Sequence, residues 1–158
     1  MAKSPPITIP TEPIGSIPRP ADLIERVLRG ESEDPNLAAL YEDAVQDTIQ
    51  RFEATGSPVV TDGEHRKYHN FAMYCVHCLP NTAPDGFKIP FSNGHTRRPL
   101  WFTRGPFRYK HYADPCLDVA IRFTHVPVKQ AVISPLALSL MYPAESIPDY
   151  SREQFRGR

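Results

Sequence analysis

Two short segments carry residues that could bind a small polar molecule. In the first, Gly15 permits close backbone approach, and the hydroxyl and amide groups of Ser16 can hold a carboxylate. In the second, Asp62-Gly63-Glu64, the Glu64 carboxylate can accept hydrogen bonds from an ammonium group. Together these groups match what an amino acid presents at its α-carbon. A structural interpretation stays open, because Gly15 and Asp62-Gly63 are also common turn residues.

Three neighbouring charged residues add weaker hypotheses. Arg19 and Arg66 could neutralise acidic groups of a substrate, although surface arginines are usually solvated. Asp62 could orient the residues that follow it.

A cluster of histidines and cysteines raises the alternative of a metal site. It comprises His65, His69, Cys75, His77 and Cys78. Cys75 and Cys78 have C-x-x-C spacing, but a structural zinc site usually needs two such pairs, and Cys116 stands alone. On strand-like spacing Cys75 and His77 share one face, whereas Cys78 points away. Packing in the interior is therefore the default interpretation, with zinc as the alternative.

The stretch Arg97–Lys110 interleaves aromatic and basic residues, a pattern that can also stack on nucleic acid. The whole chain, however, has 18 basic and 18 acidic residues and no net charge. We therefore expect no nucleic-acid partner. No run of 18 apolar residues indicates a membrane span, and an odd number of cysteines, 3, suggests a reducing compartment. We expect a cytoplasmic protein with no membrane partner.

Local signals predict helices alternating with short strands. Pro20–Arg29 has one apolar stripe before Gly30. Asp34-Pro35 begins a long amphipathic helix that stops at Gly56. Further helices are predicted from Asp114, and from Ser134-Pro135 to about Met141. Strands are predicted at Ile7–Ile9, Pro58–Thr61 and Val128–Ile133, with a hairpin in Phe87–Arg108 around Asn93-Gly94.

This order predicts an α/β fold rather than a dinucleotide-binding sheet, since no G-x-G-x-x-G follows the first strand. The expectation is a partial (β/α)₈ barrel of about three βα units with a hairpin insertion. Residues 1–158 would form a single incomplete barrel domain, interrupted near the start of a helix at about 151, where Ser151 and Gln154 form a capping-box pattern. Open sheet edges and exposed Val59, Val132 and Ile133 would then favour self-association or pairing with a complementing barrel half.

Two segments at this separation resemble the opening of the catalytic barrel of the cobalamin-independent methionine synthase family. They are Thr11–Pro20, which reads TEPIGSIPRP, and Gly56–Arg66, which reads GSPVVTDGEHR. Pro127–Pro135 is similar to the family's third strand, although Ser134 stands where the family usually has glycine. Epoxyalkane:coenzyme M transferase, a thiol-alkylating lyase, is similar in the same segments.

The resemblance implies zinc-dependent methyl transfer from a methylated folate to an amino-acid thiol such as homocysteine. It makes Ile14, Gly15, Ser16 and Glu64 the amino-acid-binding residues and identifies no catalytic residue. The family's zinc ligands belong to the later half of the barrel, so no metal is expected here and the chain alone would be inactive. The alternatives are a non-catalytic binding module that pairs through open sheet edges and the coenzyme M lyase branch.

Overall fold

The structure is a computed structural model that describes residues 11–29, 35–67, 73–77, 79–83 and 88–157. These residues form two compact units. Unit 1 contains the described residues of 1–66 and 115–130, and unit 2 those of 67–114 and 131–158. They mix α-helices with two-residue strands, and no barrel closes among them. The single incomplete barrel domain stays a prediction.

The first two predicted helices are confirmed in unit 1. Helix α1 spans Ala21–Leu28 and buries Leu23 of its apolar stripe, whereas Leu28 is exposed. Helix α2 spans Pro35–Ala54. Gly56 ends it with a positive φ of 74°, and the Gly56 amide donates to the Glu53 carbonyl over 2.9 Å. The predicted N-cap of α2, Asp34, lies outside the described residues.

The predicted strands of unit 1 are reduced to one parallel bridge between Val60 and Val128. The Val60 amide donates to the Pro127 carbonyl over 3.0 Å, and the Lys129 amide donates to the Val60 carbonyl over 2.8 Å. The parallel direction agrees with the prediction, but the predicted lengths of 58–61 and 128–133 do not. An isolated pair of strands is only marginally stable, and among the described residues these segments pair only with each other. Ile7–Ile9 lies outside those residues.

Two apolar clusters hold unit 1 together. One joins Val45 and Ile49 of α2 to Val60 and to Ala120 of helix α3, which spans Asp114–Ala120. The other joins α1 to α2 through Leu23, Leu37 and Ala44. A single turn of 3₁₀ helix, Ile121–Phe123, continues α3. The parallel bridge is thereby fixed against the buried face of the longest helix.

In unit 2 the predicted hairpin is confirmed, but it is shorter than predicted. Strand β2 (Ile89–Pro90) pairs antiparallel with β3 (Thr96–Arg97) around Gly94, whose φ is 82°. Strand β4 (Trp101–Phe102) pairs antiparallel with β1 (Thr82–Ala83) instead of extending the hairpin.

Short helices complete unit 2 where capping residues predicted them. Helix α4 (Pro135–Leu138) begins at Ser134, whose hydroxyl accepts from the Ala137 amide, and a 3₁₀ turn over Ser139–Met141 follows it. Helix α5 (Arg152–Phe155) begins with the predicted capping box at Ser151.

Two predictions for unit 2 are wrong. Residues 73–77 form a turn, in which the Val76 and His77 amides both donate to the Met73 carbonyl, so Cys75 and His77 do not lie along a strand. The prediction that Ile133 is exposed is also wrong, because Ile133 is buried in the core. Val132 is 62% exposed, as predicted. Among the described residues, no helix has the length and apolar character that a membrane crossing requires.

Candidate functional site

The most unusual backbone of unit 1 follows the parallel bridge directly. Residues Thr61 to His65 are all buried, and both Gly63 (φ 65°) and Glu64 (φ 62°) adopt the left-handed conformation. For a residue with a Cβ this conformation costs about 1–2 kcal/mol, so the surroundings must impose it on Glu64. Strained backbone of this kind is concentrated at functional sites. Residues 61–65, named here the Glu64 turn, are therefore the candidate site.

Side chains of unit 1 stabilise the Glu64 turn by hydrogen bonds. The Gly63 amide donates to Thr61 Oγ1 over 3.1 Å, and the Glu64 amide donates to Asp62 Oδ1 over 3.0 Å. The other Asp62 oxygen accepts from Gln130 Nε2 over 3.1 Å. Asp62, which is fully buried, orients the residues after it, as the sequence suggested.

The first segment singled out in the sequence, which contains Gly15 and Ser16, leads into residues that contact the main chain of the Glu64 turn. The Ile17 amide donates to the Gly63 carbonyl over 3.0 Å. Arg19 donates from Nε to the His65 carbonyl over 2.8 Å and from Nη2 to the Glu64 carbonyl over 3.4 Å. Three successive carbonyls are thus bound by residues 17–19. Arg19 supports the protein backbone, in contrast to the substrate contact suggested for it.

The four predicted binding residues have unlike environments. Ile14 is 88% exposed, and Gly15 (φ 87°) and Ser16 are exposed too, whereas Glu64 is only 5% exposed. Their binding role stays a prediction. Residues 17–19 and His65 contact the turn, and Glu64 lies in the interior of unit 1.

His65 forms the contact between the Glu64 turn and helix α2. Its ring is 1% exposed, and Nε2 lies 2.8 Å from the Thr48 hydroxyl. Burial lowers the pKa of His65 below 6.5, and the nearby Arg19 guanidinium lowers it further, against opposing contributions from Asp62 and Asp47. The imidazole is therefore neutral at neutral pH.

This lowered pKa predicts acid destabilisation. Because the unfolded chain takes up the proton at a higher pH than the folded chain, stability is lost as pH falls below about 6.5 and levels off below the folded-state pKa. Urea unfolding between pH 8 and pH 5 should show this slope in the wild type. His65→Gln should remove the part of the slope that His65 contributes. An unchanged slope in the variant would contradict the assignment.

The described members of the histidine and cysteine cluster, His65, Cys75 and His77, do not converge on a metal. Burial raises the pKa of the Cys75 thiol to about 11, which disfavours the thiolate that zinc binds. The His77 ring stacks on His111 with centroids 4.9 Å apart. His69 and Cys78 lie outside the described residues. Across the part of the chain that the structure describes, no three His, Cys, Asp or Glu side chains could hold one ion.

Three of the four aromatic residues of Arg97–Lys110 contribute to the core of unit 2, namely Phe102, Phe107 and Tyr109, whereas Trp101 is 39% exposed. Phe102 is 2% exposed, and its ring centroid lies 4.6 Å from that of Phe107. Phe107 in turn stacks on Phe155 at 5.2 Å. Rings that pack against one another are not presented to bases, so this stretch has a structural role.

Two polar residues around the site were not identified from the sequence. Thr48 recurs with the apolar residues of α2, so its spacing indicated only a buried face. Gln130 lies in the predicted third strand, where nothing in the sequence marks it as a partner of Asp62. Their roles depend on contacts between segments distant in sequence.

The fold is similar to that of a protein of known structure. Comparison with solved structures finds a B12-independent methionine synthase from Shewanella sp. W3-18-1, solved in complex with selenomethionine, at a TM-score of 0.58 and 18% identity. The match covers 77% of this chain and 35% of that protein, so this chain spans about a third of its length. No protein-family model and no curated protein matches the chain. At this identity the likeness concerns the fold alone.

Proposed function

We propose that this chain provides the amino-acid-binding part of a methionine-synthase-like methyltransferase, with an amino-acid thiol such as homocysteine as substrate. The proposal is carried by one observation. Glu64 is buried and adopts a left-handed backbone conformation where the two segments singled out in the sequence meet. The likeness of fold supports it. So does the neighbour's bound ligand, because selenomethionine is an amino acid with the same α-carbon groups.

In this proposal the two segments divide the recognition of the substrate. Glu64 accepts hydrogen bonds from the α-ammonium group, and the shielded position of its carboxylate strengthens this ion pair. The main chain of Ile14 and Gly15 and the hydroxyl of Ser16 lie exposed and can approach the α-carboxylate. The two contacts orient the substrate and direct its thiol away from the backbone of the turn.

The zinc ion of the resembling family does not fit the described residues, which offer no cluster of three ligands. We therefore assign no step of methyl transfer to them. A methylated folate as methyl donor and the cytoplasm as location remain part of the proposal, on the resemblance and the composition respectively.

Glu64→Gln tests the proposal because it removes the charge and retains the size. A hydrogen-bonded ion pair contributes on the order of 1.5–3 kcal/mol, so affinity for L-homocysteine should fall by one to two orders of magnitude. The measurement is a titration of the chain followed by calorimetry and by amide NMR signals. Glu145→Gln, an exposed glutamate of unit 2, is the matched control and should bind as the wild type does.

Melting temperatures of the same variants separate binding from support of the fold, which the burial of Glu64 makes necessary. If Glu64→Gln lowers the melting temperature and leaves the affinity intact, Glu64 is a structural turn residue and the proposed site is wrong. Titration with coenzyme M, a thiol without the α-amino and α-carboxyl groups, distinguishes the lyase branch.

A non-catalytic binding module is the second candidate, favoured by exposed apolar residues of unit 2. Val132, Leu136 and Leu140 are 62%, 77% and 60% exposed. Such residues commonly mark contact surfaces. Concentration-dependent dimers in sedimentation velocity, together with no binding of any thiol, would favour this candidate over the methyltransferase.

A further inference from the structure

Helix α2 contacts the Glu64 turn through one buried polar pair. Thr48 is 4% exposed and His65 is 1% exposed, and their side chains are hydrogen-bonded at 2.8 Å. Thr48 lies one turn of helix from Val45 and directly before Ile49, both fully buried. The hydroxyl is therefore fixed in position by the packing of the longest helix in the chain.

The pair packs directly against the backbone of Gly63. A Cβ at this glycine would lie 2.7 Å from His65 Nε2 and 3.1 Å from Thr48 Cγ2. The backbone that precedes Glu64 thus rests on the imidazole and the threonine methyl without intervening space. Movement of either side chain would allow the turn to move with it.

The other supports of the turn come from residues 17–19 and from Asp62 within the turn itself. Ile17 and Arg19 bind its carbonyls, and Asp62 binds the Glu64 amide. On the side of the turn that faces α2, the supporting residues are His65 and Thr48. A left-handed glutamate persists only when its surroundings fix it from several directions, so this face is needed as well.

We propose that Thr48 and His65 are positioning residues for the amino-acid site: the Thr48 hydroxyl fixes the His65 ring, and the ring holds Gly63 and Glu64 so that the Glu64 carboxylate is presented to the substrate. This inference rests on the proposed function for its ligand. Its physical content, the dependence of the Glu64 backbone on Thr48, stands independently of the ligand.

The lowered pKa of His65 agrees with such a role. Burial disfavours the charged ring, and a protonated ring would also place a second positive charge beside Arg19. In the neutral ring, Nε2 accepts from or donates to the Thr48 hydroxyl, according to the tautomer.

Thr48→Val tests the inference because it replaces the hydroxyl with a methyl group of similar size, and Thr48→Ser is the matched control that keeps the hydroxyl. We expect Thr48→Val to weaken L-homocysteine binding about five- to tenfold, as for loss of a buried hydrogen bond. It should also displace the amide NMR signals of Gly63 and Glu64. Thr48→Ser keeps the hydroxyl and should retain the affinity and the Glu64 signal, while loss of the methyl group beside Gly63 should move the Gly63 signal alone.

The outcomes separate this inference from the proposed function. If wild type binds no amino-acid thiol, the proposed function fails, and the Glu64 amide signal alone then decides the positioning role. Signals that stay in place in Thr48→Val overturn the inference whether or not ligand binds. A lower melting temperature with unchanged affinity and unchanged Glu64 signals shows a purely structural pair. Thr48→Ala, which leaves space, serves if the valine variant does not fold.

Discussion

Gly63→Ala is expected to destabilise unit 1 by about 2–5 kcal/mol and to abolish binding at the Glu64 turn. The φ of 65° alone costs a residue with a Cβ about 1–2 kcal/mol. The new methyl group would also lie 2.7 Å from His65 Nε2. The ring cannot move aside without breaking its contact with Thr48, and overpacking of this kind adds about 1–3 kcal/mol.

Gly56→Ala is the matched control for this variant. Gly56 has a similar φ of 74°, but a Cβ there would meet no atom within 4 Å. It should lose only the backbone contribution of about 1–2 kcal/mol. Urea unfolding, followed by NMR signals of residues in unit 1, measures both variants. Equal losses would show that the space between Gly63 and His65 is not restricted as the structure indicates.

The helices could be predicted from the sequence because their signals are local. Ser151 and Gln154 satisfy each other's backbone groups within one turn, and both hydrogen bonds of the predicted capping box are present. The end of α2 was likewise set by Gly56, which tolerates the left-handed conformation. Neither feature requires a distant part of the chain.

The strands were predicted less well because their extent depends on partners. Val60 and Val128 have the apolar, β-branched character of strand residues, yet only one bridge forms between their segments. Sequence indicates that a segment can be extended, but the number of ladder hydrogen bonds depends on which segments lie beside it. The same reason explains why Trp101 and Phe102 pair with residues 82–83 and not across the hairpin.

In the candidate site, too, local features could be predicted from the sequence, whereas features that depend on distant residues could not. The chemical types of Ser16 and Glu64 could be read directly, and the structure joins their segments through the hydrogen bond from Ile17 to Gly63. The burial of Glu64 could not be predicted, since the turn that carries it contacts Arg19 and a histidine bound to Thr48, and both contacts join segments distant in sequence. A threonine within an apolar stripe gives no sign of its partner, because buried hydroxyls are common on helix faces.

Gly105→Ala is expected to destabilise unit 2 by about 3 kcal/mol, because the added methyl group has no space. A Cβ at Gly105 would lie 2.0 Å from Tyr150 Cγ and 2.3–2.4 Å from the two adjacent ring atoms, Cδ1 and Cδ2. The Tyr150 ring packs on Phe155, and its carbonyl accepts from the Tyr142 hydroxyl over 2.6 Å. The φ of Gly105 lies outside the left-handed region, so the loss reports the contact alone.

A double-mutant cycle with Tyr150→Ala isolates this contact. Tyr150→Ala removes the ring that the added methyl group would meet, so Gly105→Ala should cost little stability in that background. The stability loss of the double variant should therefore be smaller than the sum of the two single losses by about 2 kcal/mol. Trp101, the single tryptophan, lies in unit 2 and reports its unfolding by fluorescence. Additive losses, or a tolerated Gly105→Ala, would mean that Tyr150 does not pack on this glycine.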